Sequence, residues 1–267
     1  MSAGFGFQLP VMTARIKWPK PPEDWAKRLN VPVGSDRQVH VWAASLLVST
    51  DRLAQLEAIL AKDERARAAR FHFERHRNRF IAGRGLLREI VGSYIQEEPA
   101  ALQFGYGPNG KPGLVRPTGA LQFNLSHSEE LALVAVTTES DVGVDVECVR
   151  RLNDAGELVA RFFSPRENAA FSKLPVEQQP VAFFNLWTRK EALLKASGEG
   201  IGRLLNQVEV SFLPGSAAEL RQLPAEFGAM SRWMLVALAP APGYAGALVV
   251  AAPAAKVECW WWDRAVV

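Results

Sequence analysis

Three carboxylates and an ammonium group fall in two short segments, Gly143-Val144-Asp145-Val146-Glu147 and Trp187-Thr188-Arg189-Lys190-Glu191-Ala192-Leu193-Leu194-Lys195. The first reads as a strand, on which Asp145 and Glu147 share a face, roughly 7 Å apart, while Val144 and Val146 face a core. The second reads as a helix, where Trp187, Glu191 and Lys195 recur every four residues along one side. Two rigid elements of this kind can aim oxygen ligands at a hard divalent cation, and Mg²⁺ is held by a few carboxylates plus substrate phosphates. The pattern points to phosphate chemistry. Each segment alone has a plainer reading. Asp145 and Glu147 fit a solvated strand face, and Glu191 with Lys195 fits a surface helix pair worth about 0.2–0.5 kcal/mol.

The elements that must position these groups can be read from periodicity. Residues 1–36, rich in Pro and Gly, read as an extended arm. Alternation at Val39, Val41 and Ala43 predicts a first strand. Helices are predicted over 52–59 and 76–95. In the longer one Phe80, Gly83, Leu87, Ile90 and Tyr94 form an apolar stripe, with Arg79 at its edge and Arg77, Arg84 and Arg88 on the opposite edge. A strand over 102–105, a loop over 108–113 and strands over 121–124, 131–137 and 142–147 follow. Ser164-Pro165-Arg166-Glu167 has the makings of a helix start: Ser at the cap, Pro at the first position, Glu three residues on. A helix over 181–196 ends in the glycine-rich 197–202, and strands near 208–212, 233–238, 247–251 and 257–262 close the chain. This order predicts an α+β protein of two similar lobes related by a pseudo-twofold axis, each a small antiparallel sheet packed with helices. An arm (1–36), an N-terminal lobe (37–116) and a C-terminal lobe carrying the metal site (117–267) are expected, with a ligand cleft between the lobes.

Composition narrows the function classes. With 48% apolar and 22% charged residues, the chain reads as an ordinary globular protein. The net charge of +3 is mild, but Arg65 to Arg88 holds eight arginines and one acid, Glu74. That cluster suits an anionic ligand or an acidic protein partner; without a nucleic-acid motif it does not define a nucleic-acid binder. Two lone cysteines and four scattered histidines give no zinc spacing. The absence of a signal-peptide pattern or a long apolar run predicts a cytoplasmic protein with no membrane span.

Together the motifs resemble those of the 4′-phosphopantetheinyl transferases, of the larger two-lobed type that activates polyketide and nonribosomal peptide synthetases. Asn109-Gly110-Lys111-Pro112, Phe123-Asn124-Leu125-Ser126-His127-Ser128, the 143–147 segment and the 187–195 segment carry the resemblance, in that order. The arginine-rich stretch from Phe71 to Arg88 also looks like the family's N-terminal lobe. The resemblance implies transfer of the phosphopantetheine arm of coenzyme A to a serine of an apo acyl or peptidyl carrier protein, with release of adenosine 3′,5′-bisphosphate. A catalytically inactive homologue that binds coenzyme A or a carrier protein is the alternative.

The resemblance also implies residue roles. Asp145, Glu147 and Glu191 would hold Mg²⁺, with Mn²⁺ as an alternative ion. Either Glu191 or a water beside the metal could take the serine proton, and Lys195 would lie on a phosphate. Ser126 and His127 would hold the 3′-phosphate and nucleotide of coenzyme A, Lys111 would lie near the adenine and 3′-phosphate, and Arg79, with Arg67, would grip the 3′-phosphate. Lys190 could face phosphate or solvent, and Trp187 reads as a packing residue. Two positions depart from the family pattern: Glu64 stands where a basic residue is usual, and Phe80 where a hydroxyl is. Arg77, Arg84 and Arg88 read either as a solvated basic face or as contacts for an acidic carrier protein. Trp260-Trp261-Trp262 reads as strand packing or as a docking point. The expected partners are coenzyme A and carrier proteins, with no nucleic acid and no membrane, and the expected state is a monomer.

Overall fold

The computed structural model describes residues 18–20, 38–107, 109–116, 121–138, 140–152, 154–198 and 204–262. Most of the expected arm over 1–36, and the glycine-rich segment beyond Gly198, lie outside these residues.

Alternation along the strands decides the layering. In β1 (Gln38–Ser45), Val39, Val41 and Ala43 point to one side, and His40, Trp42 and Ala44 to the other. In β5 (Leu131–Thr137) every residue is buried, because both faces of its sheet are covered. β1 lies between β5, antiparallel, and β11 (Lys256–Trp261), parallel; β5 pairs on its other side with β4 (Gln122–Ser128). β6 (Val142–Cys148) pairs antiparallel with β10 (Tyr244–Val250), which pairs with β9 (Met234–Leu238). Between the two sheets lies a core built from Val39, Val41, Leu133, Val144, Val146 and Leu248.

Each sheet carries a long helix on its outer face. Helix α3 (Glu74–Ile95) covers the first sheet, with Leu87, Ile90 and Val91 against Trp42, Val134 and Val136. α6 (Gln179–Ser197) covers the second, with Phe183, Leu186 and Leu193 in one cluster with Ala247 and Val249. The order through the molecule is helix, sheet, sheet, helix, an α+β arrangement.

Smaller elements complete it. α1 (Thr50–Ala58) and α2 (Lys62–Ala68) pack on α3, and the hairpin β2 (Gln103–Tyr106)–β3 (Pro112–Arg116) takes up part of the segment expected to be loop. α4 (Ala155–Phe162) precedes α5 (Pro165–Phe171), and β7 (Glu209–Val210) pairs with β8 (Leu220–Gln222). α5 begins with the expected box: Glu167 N donates to Ser164 Oγ at 3.2 Å and Ser164 N to Glu167 Oε2 at 2.9 Å.

Two details of the first sheet bear on the expected layout. The boundary between 116 and 117 runs through the first sheet, because β4, β5 and β11 hydrogen-bond with β1 or with one another. That sheet is also mixed, since β11 runs parallel to β1. Trp260 and Trp262 then pack against Trp42, at ring-centroid distances of 5.0 and 5.2 Å, so the tryptophan run is strand packing.

Candidate active site

Asp145 and Glu147 sit on the face of β6 that meets α6, opposite the core-facing valines. What lets the helix approach is Gly143. A Cβ on Gly143 would lie 2.1 Å from Ala192 O and 2.3 Å from Ala196 N, so any side chain there would push α6 off the strand. With glycine, the two backbones touch and the Glu191 and Lys195 side chains reach the β6 carboxylates.

The contacts are specific. Lys195 Nζ donates to Asp145 Oδ1 at 2.6 Å and to Ser126 Oγ at 3.0 Å. Ser126 Oγ in turn donates to Asp145 Oδ1 at 2.7 Å. Ser128 Oγ donates to Glu147 Oε2 at 2.6 Å. Asp145 and Glu191 are 4% and 3% exposed, and Asp145 Oδ2 and Glu191 Oε1 are buried without a hydrogen-bond partner. Burial, then the charge of Asp145, pushes the Glu191 carboxyl from 4.5 up to about 7. Burial likewise raises Glu147, against the Ser128 hydrogen bond that lowers it.

These orphaned carboxylate oxygens are what a hard cation would satisfy, so the donor chemistry fits Mg²⁺. The three expected ligands nevertheless do not stand as a ready coordination shell: among the described residues no three His, Cys, Asp or Glu side chains converge closely enough. Lys195 supplies positive charge on Asp145, and Glu147 is turned to Ser128.

β4 holds β6 in register through side chains. Among the described residues the outward N–H groups of β6 find no strand on that edge, and an unpaired buried N–H is costly. Asn124 Oδ1 accepts from Val144 N at 2.9 Å, Ser126 Oγ from Val146 N at 3.4 Å and Ser128 Oγ from Cys148 N at 3.1 Å. Residues 124, 126 and 128 alternate onto one face of β4 as a three-rung side-chain ladder. The role of Asn124 and Ser128 in fixing the carboxylate strand was not anticipated, although the Asn-x-Ser-x-Ser alternation was visible in the sequence.

The other face of β4 carries Leu125 and His127, so Ser126 and His127, expected to act together, point to opposite sides. His127 lines a cavity of about 170 Å³ with Arg67, Phe80, Arg84, Tyr106 and Leu125. Loss of solvent, then the cations Lys195 and Arg79, hold its imidazole below the usual 6.5. Arg67 stacks over the Phe80 ring, 5.3 Å from its centroid. Phe80 thus gives the Arg67 guanidinium a cation–π contact.

Arg79 and Lys111 have protein partners in this structure. Arg79 pairs with Glu129 at 2.7 Å. Lys111 Nζ donates to Val142 O at 3.0 Å and to Ala196 O at 3.5 Å, and Asn109 Nδ2 donates to Gly198 O at 2.7 Å. The β2–β3 hairpin thus caps the C-terminus of α6, where Gly198 has φ of 78°.

Three further readings are revised. Lys190 faces neither phosphate nor solvent: it is fully buried, 2.5 Å from Glu167 Oε2, and donates to Leu205 O at 2.7 Å. Arg84 and Arg88 are buried and form no solvated face; Arg88 Nε lies 2.6 Å from Glu64 Oε2. Glu64 is consequently a structural acid, whose Oε2 also accepts from Ala61 N at 3.0 Å. Trp187 packs as expected, stacked on Phe183.

Comparison with known proteins bears on this geometry. A model described as the 4′-phosphopantetheinyl transferase superfamily matches residues 141–249, and one described as 4′-phosphopantetheinyl transferase, N-terminal, matches residues 47–139. The 4′-phosphopantetheinyl transferase HetI of Nostoc sp. is 41% identical over 244 residues, 91% of this chain and 96% of its own length. A putative 4′-phosphopantetheinyl transferase of Synechocystis sp. is 36% identical over 74% of this chain and 78% of its own. The 4′-phosphopantetheinyl transferase psf-1 of Bacillus pumilus is 33% identical over 64% of this chain and 71% of its own.

Proposed function

The chain belongs to the 4′-phosphopantetheinyl transferase superfamily and is a transferase of that type, and from this premise we propose how its own residues carry out the reaction. The substrate is coenzyme A. Its nucleotide end enters the cavity beside Arg67 and His127, and its diphosphate faces Asp145, Glu191 and Lys195. The observation that carries this reading is the two-faced strand β4, with a cation-lined cavity on one side and the carboxylate–ammonium cluster on the other.

The serine hydroxyl of an apo acyl or peptidyl carrier protein attacks the β-phosphorus. A serine oxygen–phosphorus bond forms, the bond from that phosphorus to the bridging oxygen breaks, and adenosine 3′,5′-bisphosphate leaves with the electron pair. Glu191, buried beside Asp145 with one carboxylate oxygen left without a hydrogen-bond partner, takes the serine proton. Lys195, held by Asp145 and Ser126, offsets charge on the 5′-phosphate of the leaving bisphosphate. Asp145, Glu191 and Glu147 would hold Mg²⁺, which supplies positive charge at the diphosphate when bound. All the residues assigned these roles come from one chain, which supports a working monomer.

The test is transfer to an apo carrier protein in EDTA and after adding Mg²⁺ or Mn²⁺, with the released nucleotide identified by chromatography. Transfer that needs the metal and yields adenosine 3′,5′-bisphosphate is expected. Full transfer in EDTA would overturn the metal assignment, and coenzyme A binding without any transfer would mark a binding protein instead.

A further inference from the structure

Arg84 has no part in the reaction as set out above, yet it is the most firmly held cation of the cavity wall. It is 6% exposed. Its Nε lies 3.5 Å from Glu64 Oε1, its Nη2 donates to the Tyr106 hydroxyl, and its guanidinium stands 5.4 Å from the Tyr106 ring centroid. Glu64 is shared: its other oxygen takes the fully buried Arg88. Two buried guanidinium groups therefore meet one carboxylate, leaving one positive charge in excess beside the cavity. Buried charge without a partner is costly, so this arrangement favours an anion in the cavity. The described residues of the wall add Arg67 and His127 and no acid.

We infer that Arg84 is a specificity-determining residue, one that reads a phosphomonoester on the nucleotide entering this cavity. The inference rests on the proposed placement of coenzyme A, whose 3′-phosphate is the phosphomonoester in question. A guanidinium hydrogen-bonded to Tyr106 and drawn to the charge of Glu64 is placed for forked contacts with phosphate oxygens. It also accounts for the acid at position 64. Glu64 turns inward from α2 and meets two guanidinium groups carried by α3.

Steady-state transfer kinetics with coenzyme A and with dephospho-coenzyme A test this. R84Q should raise KM for coenzyme A about 10-fold or more while kcat changes less than about twofold, the size expected for a lost charge-assisted contact. KM for dephospho-coenzyme A should not move, and R84K should recover part of the loss. Equal KM changes for both substrates, or none, would overturn the inference. Y106F leaves the ion pair intact and removes only the hydroxyl that orients the guanidinium. It should give a smaller rise confined to coenzyme A, and it carries the test if R84Q fails to fold. If R67A loses the discrimination and R84Q keeps it, Arg84 is excluded while the nucleotide placement stands. If neither variant alters it, the placement itself falls.

Discussion

Lys190 and Glu191 are neighbours in one motif and do opposite things, which mutation can separate. Lys190 is sealed against Glu167 and Leu205 O, so K190A strands a buried carboxylate and should cost about 3–5 kcal/mol of stability, read as a lower midpoint in urea unfolding. An unchanged midpoint would mean the pair contributes nothing. Glu191 should behave in the other direction. Its carboxyl is held near 7 in the folded chain against 4.5 for a free Glu, so between those values the folded state binds the extra proton. Stability is then complete below about pH 4.5 and is lost as pH rises through about 7, a loss of about 3 kcal/mol. E191Q cannot ionise. In metal-free buffer it should melt above wild type at about pH 8 and level with it at about pH 4.5; equal melting at both pH values would show that Glu191 is not strained by burial.

At the scale of elements, the site depends on how closely α6 rides on β6 and on how β4 pins β6. G143A places a methyl group within 2.1 Å of Ala192 O. It should reduce transfer at least about 100-fold even where circular dichroism shows a folded chain, because it displaces Glu191 and Lys195 together. Near-normal activity would mean the helix can shift without cost. N124A leaves Val144 N unpaired inside the seam and should destabilise by about 1–3 kcal/mol, measured by denaturant unfolding; a smaller loss would mean another group satisfies that amide. Much of this architecture was legible beforehand. The strand carrying Asp145 and Glu147, the helix carrying Glu191 and Lys195, and the Ser164 box follow from local periodicity and capping. What escaped was long-range: the inward turn of Arg84, Arg88 and Lys190 depends on acids at 64 and 167, in other helices. A stripe of arginines looks the same in sequence whether its partner is water or a distant glutamate. Nor can alternation along β4 reveal which neighbour its polar face will meet.

On the scale of the molecule, β11 runs back beside β1, so the first sheet draws its strands from both halves of the sequence. The core between the sheets takes residues from β1, β5, β6, β10 and β11. The chain should therefore unfold in one step, with far-ultraviolet circular dichroism and tryptophan fluorescence giving coincident thermal transitions. Two separated transitions would mean the lobes are independent. The same interlocking holds the cavity and the carboxylate cluster on the two faces of a single strand. The most direct measurement of the central claim is the mass of an apo carrier protein after incubation with coenzyme A, Mg²⁺ and either wild type or E191Q. Wild type should add one phosphopantetheinyl group to the carrier's serine, while E191Q binds coenzyme A in calorimetry and adds none. A carrier left unmodified by wild type across several carrier types, or modified equally fast by E191Q, would contradict it.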